Sequence, residues 1–261
     1  MKPIRNLQYK DLAKYYDIVT QSRRYDREAR ILRKIISKLT ISRGRKLLDA
    51  GCGTGKHLMY LASDFCCTGL DLHEEMLKVA RKKVPNATFV RANMTDFRLR
   101  NKFDVILCMS SAIGLVRTYS NLGKTIKNFS NHLKNGGIVI IENDSFSCSR
   151  SPPLYMNLLT AETSDIKIAR VDYYRRRGNV LIEREDYMIA QRGKGTRHFA
   201  DLQYMGMFGL KRTMHIMEQA GLTPKFLKGA LHRGNGLLLG RKSISTRAFK
   251  PARRLSLSEE P

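Results

Sequence analysis

The chain has 261 residues, enough for one large α/β domain with an elaboration and too few for two independent enzymes. Its 48 Lys and Arg against 23 Asp and Glu give a formal net charge of +25, which favours an anionic partner. Five cysteines without metal-ligand spacing predict reduced thiols and no metal, and the absence of a long apolar run or signal peptide predicts a cytoplasmic protein without a membrane partner.

Residues 7–40 predict helices laid ahead of the first strand, because apolar residues recur there at steps of three and four. From residue 46 to residue 141, short apolar strands alternate with amphipathic helices, which favours βαβ units and a parallel sheet. We predict strands over 46–50, 66–70, 87–91, 104–109 and 137–142. A helix over 121–133 is expected to end at the glycines Gly136 and Gly137.

The pattern changes after residue 164, where the stretches 167–171, 179–189 and 197–207 alternate with a period of two. Glycine-containing turns separate them, which predicts antiparallel strands in a small β cap. A helix over 210–220 and strands near 224–230 and 236–240 are expected to return to the main sheet. We therefore expect an N-terminal helical lid (1–45), a core (46–145 and 209–241), the cap (146–208) and a disordered basic tail (242–261).

The segment of residues 47–57 joins a predicted buried strand to a helix through a glycine turn. Gly51, Gly53 and Gly55 are spaced G-x-G-x-G after Asp49, whereas the dinucleotide fingerprint requires G-x-G-x-x-G. Such a turn brings backbone N–H groups to a helix N-terminus, where a carboxylate or phosphate can bind. The alternative is a structural turn that uses glycine for its backbone freedom.

Polar residues also follow the next two predicted strands. Asp71 ends the second strand, at the position that binds a ribose diol in doubly wound folds; alternatively it caps the following helix. Asn93 follows the third strand, and its carbonyl oxygen can face an exocyclic amine. These residues predict a binding site at the carboxyl edge of the sheet.

The glycine loop, Asp71 and segment 92–97 resemble the cofactor site of class I S-adenosylmethionine (SAM) methyltransferases. The resemblance implies an α/β, Rossmann-like fold with a seven-stranded, mostly parallel sheet, and SAM as the cofactor. An acidic residue such as Asp49 at the strand end suits the ammonium group of SAM. Many relatives carry Asp where this chain has Asn93. The residues expected to bind SAM are Tyr25, Asp49, Ala50, Gly51, Cys52, Gly53, Gly55, Asp71, Leu72, Met76, Asn93, Met94 and Met109.

Residues 16–19, 94–99 and 109–114, and residues 193–199 inside the cap, resemble one branch of this family. That branch consists of the N,N-dimethyltransferases that act on nucleotide-linked amino sugars. The similarity covers most of residues 10–241, and its matches inside the cap are the more specific ones, because many chemistries share the SAM core. The chain departs from that branch at Leu115 and Gln203, which stand where relatives carry histidine, and at Asn235, which stands where they carry arginine. The resemblance therefore implies a small-molecule acceptor, with an amine expected, and leaves its identity open.

Methyl transfer from a sulfonium is an in-line displacement, so the protein mainly brings acceptor and methyl together and excludes water. We predict Tyr16, Met109 and Ser110 as catalytic residues. The segment that carries Tyr16 is expected to fold over SAM, and Met109 and Ser110 end the fourth strand beside the donor methyl. Alternatively, Tyr16 is a half-buried helix aromatic and Met109 a core residue.

Two other functions remain open at this point. A nucleic-acid methyltransferase would use the basic surface, but the fourth strand leads into Met109-Ser110-Ser111-Ala112 instead of the Asp/Asn-Pro-Pro-aromatic loop of base N-methylation. A non-catalytic, partner-binding protein with a SAM fold is the other alternative, against which the intact glycine loop argues. The charge favours an anionic or nucleotide-linked acceptor, and both a monomer and a homodimer are compatible with the sequence.

Overall fold

Two sheets and the helices around them make up the computed structural model, which describes residues 7–143, 154–231 and 236–243. The strands are β1 (Lys46–Ala50), β2 (Cys66–Asp71), β3 (Thr88–Arg91), β4 (Phe103–Cys108), β5 (Leu133–Glu142), β6 (Leu154–Glu162), β7 (Ile166–Arg177), β8 (Val180–Gln191), β9 (Gly195–Gly206), β10 (Leu222–Leu227) and β11 (Leu237–Lys242). The helices are α1 (Ala13–Val19), α2 (Tyr25–Leu39), α3 (Lys56–Leu61), α4 (Glu74–Lys83), α5 (Tyr119–His132) and α6 (Leu210–Gln219). Short 3-10 helices span Leu7–Tyr9 and Ala112–Val116.

The larger sheet has seven strands in the order β10-β11-β5-β4-β1-β2-β3. Strands β1 to β5 run parallel, and β11 runs antiparallel to both of its neighbours. Every side chain of β4 is buried, because helices cover both faces of the sheet. Apolar side chains of α5 and α6 pack on one face, and those of α2, α3 and α4 pack on the other. The predicted mostly parallel, seven-stranded α/β fold is confirmed.

The smaller sheet has four antiparallel strands in the order β6-β7-β8-β9. The period-two stretches correspond to β7, β8 and β9, whereas β6 had no predicted strand of its own. Helix α1 packs on this sheet through Leu12, Tyr15 and Val19, and α2 packs on the larger sheet through Leu32 and Ile36. The N-terminal segment therefore spans both sheets.

The glycine pair after α5 has a different role from the predicted one. The helix ends at His132, and Gly136 and Gly137 lie inside β5, where the pairing with β4 shifts register. Gly136 adopts a φ of +75°, and a Cβ on Gly137 would lie 2.9 Å from the carbonyl oxygen of Asp104. These glycines therefore allow the irregular first part of β5 and do not end the helix. Gly136 permits the positive φ, and Gly137 permits the close approach of the neighbouring backbone.

None of the helices in the described ranges is long and apolar enough to cross a membrane. Beyond Ser243, the expected basic tail lies outside the described residues, as do the first six residues of the expected lid.

Replacing Gly137 with alanine should destabilise the protein by about 1–3 kcal/mol, because the new methyl group would press on three backbone carbonyl oxygens. The matched control is Gly123→Ala in α5, where a Cβ meets no atom within 4 Å. That change should stabilise the protein by up to about 1 kcal/mol, since alanine is the better helix former. Urea unfolding measures both free energies, and equal effects of the two substitutions would contradict this packing.

Candidate active site

A cavity of about 520 Å³ opens at the carboxyl ends of β1, β2, β3 and β4, between the larger sheet and the N-terminal segment. Many of the predicted site residues come together in its wall. These are Tyr16, Gly51, Gly53, Asp71, Leu72, Met76, Asn93, Met94 and Ser110. The cavity therefore brings together residues at the ends of β1, β2 and β3 that are predicted to bind the cofactor, and Tyr16, which is predicted to be catalytic.

The other predicted site residues do not line this cavity. Ala50 and Met109 are 0% and 2% exposed and pack among the apolar side chains on opposite faces of the larger sheet. For Met109 this is the position of a core residue, the alternative considered above. Cys52 is also buried in an apolar cluster. Gly55 precedes α3, and Tyr25 packs edge-on against His57 with ring centroids 5.1 Å apart. Asp49 lies buried at the end of β1.

The glycine loop folds back against the end of β2. Gly51, Gly53 and Gly55 all have φ between +53° and +77°, a region that favours glycine. The N–H of Gly51 donates to the carbonyl oxygen of Leu70 at 2.7 Å. A Cβ on Gly51 would lie 2.8 Å from the Cβ of Ala112, so the loop leaves no room for a side chain there. Position 51 therefore requires glycine for two reasons, the positive φ of the backbone and the narrow space beside Ala112.

Asp71 connects the glycine loop to the end of β2. Its Oδ2 accepts from the N–H of Gly53 and its Oδ1 from the N–H of His73, both at 2.9 Å. Helix α4 starts at Glu74 and has no side-chain cap, so Asp71 braces the loop instead of capping that helix. Burial raises the pKa of Asp71, and the two backbone N–H groups oppose that rise. Each carboxylate oxygen retains a lone pair for a further donor.

Asp49 is a buried carboxyl group next to the glycine loop. It is 1% exposed, and its Oδ1 has no hydrogen-bond partner among the residues that the structure describes. Burial raises the pKa of Asp49 to about 6, with Asp71 adding to the rise and His57 opposing it. A buried acceptor of this kind suits a positively charged hydrogen-bond donor.

A network of charged residues holds the turn between α1 and α2 against the ends of β4 and β5. Arg23 donates to Glu28 at 2.9 and 2.8 Å and to Glu142 at 2.8 Å. Glu142 also accepts from the N–H of Ser110 at 2.7 Å, and Glu28 hydrogen-bonds His57 at 2.8 Å. His57 is thereby part of the support of the site. Sequence reasoning missed Arg23 and Glu28, because nothing local to either residue indicates its distant partner.

The backbone beside the cavity is strained at the end of β4. Ser110 and Ser111 adopt φ values of +54° and +56°, which residues other than glycine rarely do. The hydrogen bond from Ser110 to Glu142 fixes this conformation. Strained residues of this kind concentrate at functional sites, which agrees with the predicted place of Ser110 in the site.

Two tyrosines from the N-terminal segment line the cavity, Tyr16 from α1 and Tyr9 from the first 3-10 helix. The Tyr9 ring stacks on the His73 ring, with centroids 5.4 Å apart. Burial raises the pKa of both hydroxyl groups well above their usual value, so both stay uncharged. Sequence reasoning missed Tyr9, because it precedes the first clear helical repeat.

The remaining wall comes from residues 112–117 and from β9. Leu115 and Met205 supply apolar surface, and Arg117 supplies a cation. Arg117 has a φ of +67°, and its guanidinium carbon lies 5.8 Å from the centre of the Tyr204 ring. Gln203 is buried behind this wall, and Asn235 lies outside the described residues. No cluster of metal-ligating side chains occurs within the described ranges.

Comparisons with known proteins agree with this geometry. A family model described as a methyltransferase domain matches residues 47–137. The dTDP-3-amino-3,4,6-trideoxy-α-D-glucopyranose N,N-dimethyltransferase of Streptomyces venezuelae is 33% identical over 88% of this chain and 97% of its own length. The crystal structure of DesVI from the same species has a TM-score of 0.82 at 32% identity, covering 89% of this chain and 99% of DesVI.

A SAM-bound amino pentose methyltransferase from Micromonospora echinaspora has a TM-score of 0.78 at 25% identity, covering 92% of this chain and 99% of that protein. These matches cover 88% to 92% of this chain, so they include the four-stranded sheet as well as the larger one. They confirm the predicted fold class, enzyme class and cofactor. The chain belongs to the class I SAM-dependent methyltransferases, in the branch of the amino-sugar N,N-dimethyltransferases.

Proposed function

We propose that this enzyme methylates the amino group of a nucleotide-linked amino sugar. The observation that carries the proposal is a single cavity in which the glycine loop and Asp71 face Tyr9, Arg117 and Met205. The similar enzyme of Streptomyces venezuelae is named for a dTDP-linked amino sugar, and its similarity includes the cap. In this proposal the segment 1–45 is the lid, the cap of residues 146–208 is the acceptor side, and the enzyme works in the cytoplasm. Nucleic-acid methylation and a non-catalytic role are not favoured.

The residues at the carboxyl edge of the sheet fit the cofactor. Asp71 can accept hydrogen bonds from the ribose hydroxyls through its remaining lone pairs, and Asn93 faces the same cavity for the adenine amine. The Oδ1 of Asp49, which has no hydrogen-bond partner within the described ranges, suits the ammonium group, directly or through water. When bound, SAM supplies an activated methyl group on a sulfonium.

The protein's part in the reaction is to position the acceptor and to exclude water. Tyr16 and Tyr9 cover the cavity from the lid side, and both remain uncharged because burial raises the pKa of each hydroxyl. Glu142 fixes the strained backbone of Ser110 at the cavity wall. An amine that arrives neutral needs no strong base, and its surplus proton leaves to water after methylation.

Arg117 is suited to the phosphate groups of the acceptor. It lines the cavity, its side chain is exposed, and it forms no ion pair with a carboxylate in the described parts of the chain. A guanidinium group binds phosphate oxygens with paired, charge-assisted hydrogen bonds. We infer that Arg117 lies at the diphosphate end of the acceptor.

The direct test is an assay with SAM and dTDP-3-amino-3,4,6-trideoxy-α-D-glucopyranose. We expect S-adenosylhomocysteine to form together with a sugar carrying one or two added methyl groups, as measured by mass spectrometry. The same sugar with a hydroxyl in place of its amine is the control and should not react. Turnover of RNA in preference to the amino sugar would contradict the proposal.

Arg117→Ala should raise the KM of the dTDP-linked sugar by about tenfold or more, because a charge-assisted hydrogen bond is lost. The KM of the same amino sugar without its nucleotide should stay nearly constant. Arg98→Ala removes the same charge from an exposed residue outside the cavity wall and should change neither value. Equal loss with both acceptors would remove Arg117 from the phosphate site.

Gly51→Ala should weaken SAM binding by about tenfold or more, because the new methyl would contact Ala112 at 2.8 Å and narrow the cavity. Gly178→Ala is the matched control, since Gly178 also has a positive φ but does not line the cavity, and a Cβ there meets none of the described atoms within 4 Å. It should cost stability through backbone strain of about 1–2 kcal/mol while sparing more of the SAM affinity. Isothermal titration separates the two, and equal affinities would argue against the steric account.

SAM affinity should rise as the pH increases through about 6. The reason is that Asp49, whose pKa burial raises to about 6, must be ionised to attract the ammonium group. Asp49→Asn should bind SAM more weakly at neutral pH and lose this dependence, whereas Asp96→Asn, an exposed carboxyl, should keep it. Titrations of SAM between about pH 5 and about pH 8 measure the effect. An unchanged pH profile in Asp49→Asn would assign the ammonium to another residue.

A further inference from the structure

A polar contact joins helix α1 of the N-terminal segment to the glycine loop. The Oδ1 of Asp17 accepts from the hydroxyl of Thr54 at 2.6 Å. The Oδ2 of Asp17 lies 2.5 Å from the Nζ of Lys83, the last residue of α4. Thr54 stands between Gly53 and Gly55, two glycines of the loop. One carboxylate of α1 is therefore bound both to the glycine loop and to the helix that follows β2.

The three residues form a closed set of contacts. Lys83 also donates to the carbonyl oxygen of Thr54 at 2.8 Å, so each of the three contacts the other two. Thr54 is 1% exposed, and the side chains of Lys83 and Asp17 are 14% and 27% exposed. Because these groups are largely shielded from water, removing one of them leaves the others poorly satisfied, which costs more than losing a surface ion pair.

The charges beside the loop favour the position in which α1 covers it. Lys56, at the start of α3, places a second ammonium group 3.9 Å from the Asp17 carboxylate. Burial lowers the pKa of Lys83, Asp17 opposes that shift, and the nearby Lys56 adds to it. Moving α1 away would leave two ammonium groups beside the loop without this counter-charge. The contact therefore holds α1 against the loop by charge as well as by hydrogen bonds.

The two sides of α1 are held by different kinds of interaction. On one side, Leu12, Tyr15 and Val19 pack among apolar side chains of the four-stranded sheet. On the other side, Asp17 makes the polar contact with the glycine loop. Separating apolar surfaces exposes them to water, whereas separated polar groups exchange their protein partners for water. We therefore expect α1 to stay with the smaller sheet and to separate from the loop at Asp17 when the site opens.

We propose that Asp17 is a positioning residue whose contact with Thr54 and Lys83, the latch, holds α1 over the cofactor, and that opening of the latch sets the rate of cofactor exchange. The preceding residue, Tyr16, lines the cavity, so the position of Asp17 is tied to the wall over the cofactor. Every methyl transfer requires one S-adenosylhomocysteine to leave and one SAM to enter, and opening of a covering segment limits many enzymes. This inference rests on the proposed role of residues 1–45 as the lid.

The test measures the dissociation of labelled S-adenosylhomocysteine from the full-length protein, displaced by an excess of unlabelled SAM. Asp17→Asn should raise the dissociation rate constant about tenfold, because it removes a charge-assisted hydrogen bond and the partner of Lys83. The association rate constant should not fall, because the latch closes the site to entry as well as to exit. The melting temperature of each protein shows that it is folded.

Thr54 offers a matched pair of variants at the other end of the latch. Thr54→Val keeps the shape of the side chain but removes the hydroxyl that donates to Asp17, so it should also speed dissociation. Thr54→Ser restores the donor and should return most of the wild-type rate. Adding Thr54→Val to Asp17→Asn should have little further effect, because residues in one contact are not additive. Asp26→Asn is the control, since Asp26 belongs to the same segment but pairs with Arg24 and Arg30.

The outcomes are distinct. The latch is overturned if Asp17→Asn releases S-adenosylhomocysteine at the wild-type rate, or if Asp26→Asn speeds release as much. It is also overturned if Thr54→Ser behaves like Thr54→Val, or if association with Asp17→Asn becomes slower, since the site itself would then be damaged. None of these measurements uses a sugar, so their failure leaves the proposed acceptor standing. Failure to methylate the amino sugar would likewise leave the latch standing.

Discussion

The site depends on one carboxylate that connects two loops at the edge of the larger sheet. Asp71 accepts from Gly53 in the glycine loop and from His73 after β2, so the two segments hold a fixed distance. Three glycines with positive φ let the loop reach this carboxylate, and Ala112 closes the opposite side. The cavity that follows from this contact is also lined by Tyr9 and Tyr16 of the N-terminal segment and by Met205 of β9.

A second constraint joins the N-terminal segment to the ends of β4 and β5. Arg23 bridges Glu28 and Glu142, and Glu142 holds the N–H of Ser110, whose backbone is strained. Removing one member of such a buried network leaves the others without partners, which is more costly than the loss of one surface ion pair. Glu28 also hydrogen-bonds His57, so that histidine contributes to holding the N-terminal segment in place.

The sequence predicted the parts of the molecule that depend on local pattern. Alternating strands and helices, the glycine spacing and the carboxylate of Asp71 were sufficient for the larger sheet, and nine of the predicted site residues lie in the cavity wall. It did not predict contacts between distant segments, such as Arg23 with Glu142 or Tyr9 with Gln203, because neither partner has a local signature. The role of Gly136 was misassigned for a related reason, since a glycine after a helix resembles a helix stop until the neighbouring strand is known.

The central claim is that the Asp71 carboxylate, at the end of β2, binds the cofactor. Calorimetric titration of SAM into the wild type and into Asp71→Asn tests it, with the melting temperature of each protein as the check on folding. The account predicts saturable binding by the wild type and a loss of about tenfold to a hundredfold in the variant, the size expected for hydrogen bonds to a charged group. Equal affinity of the two folded proteins would contradict it.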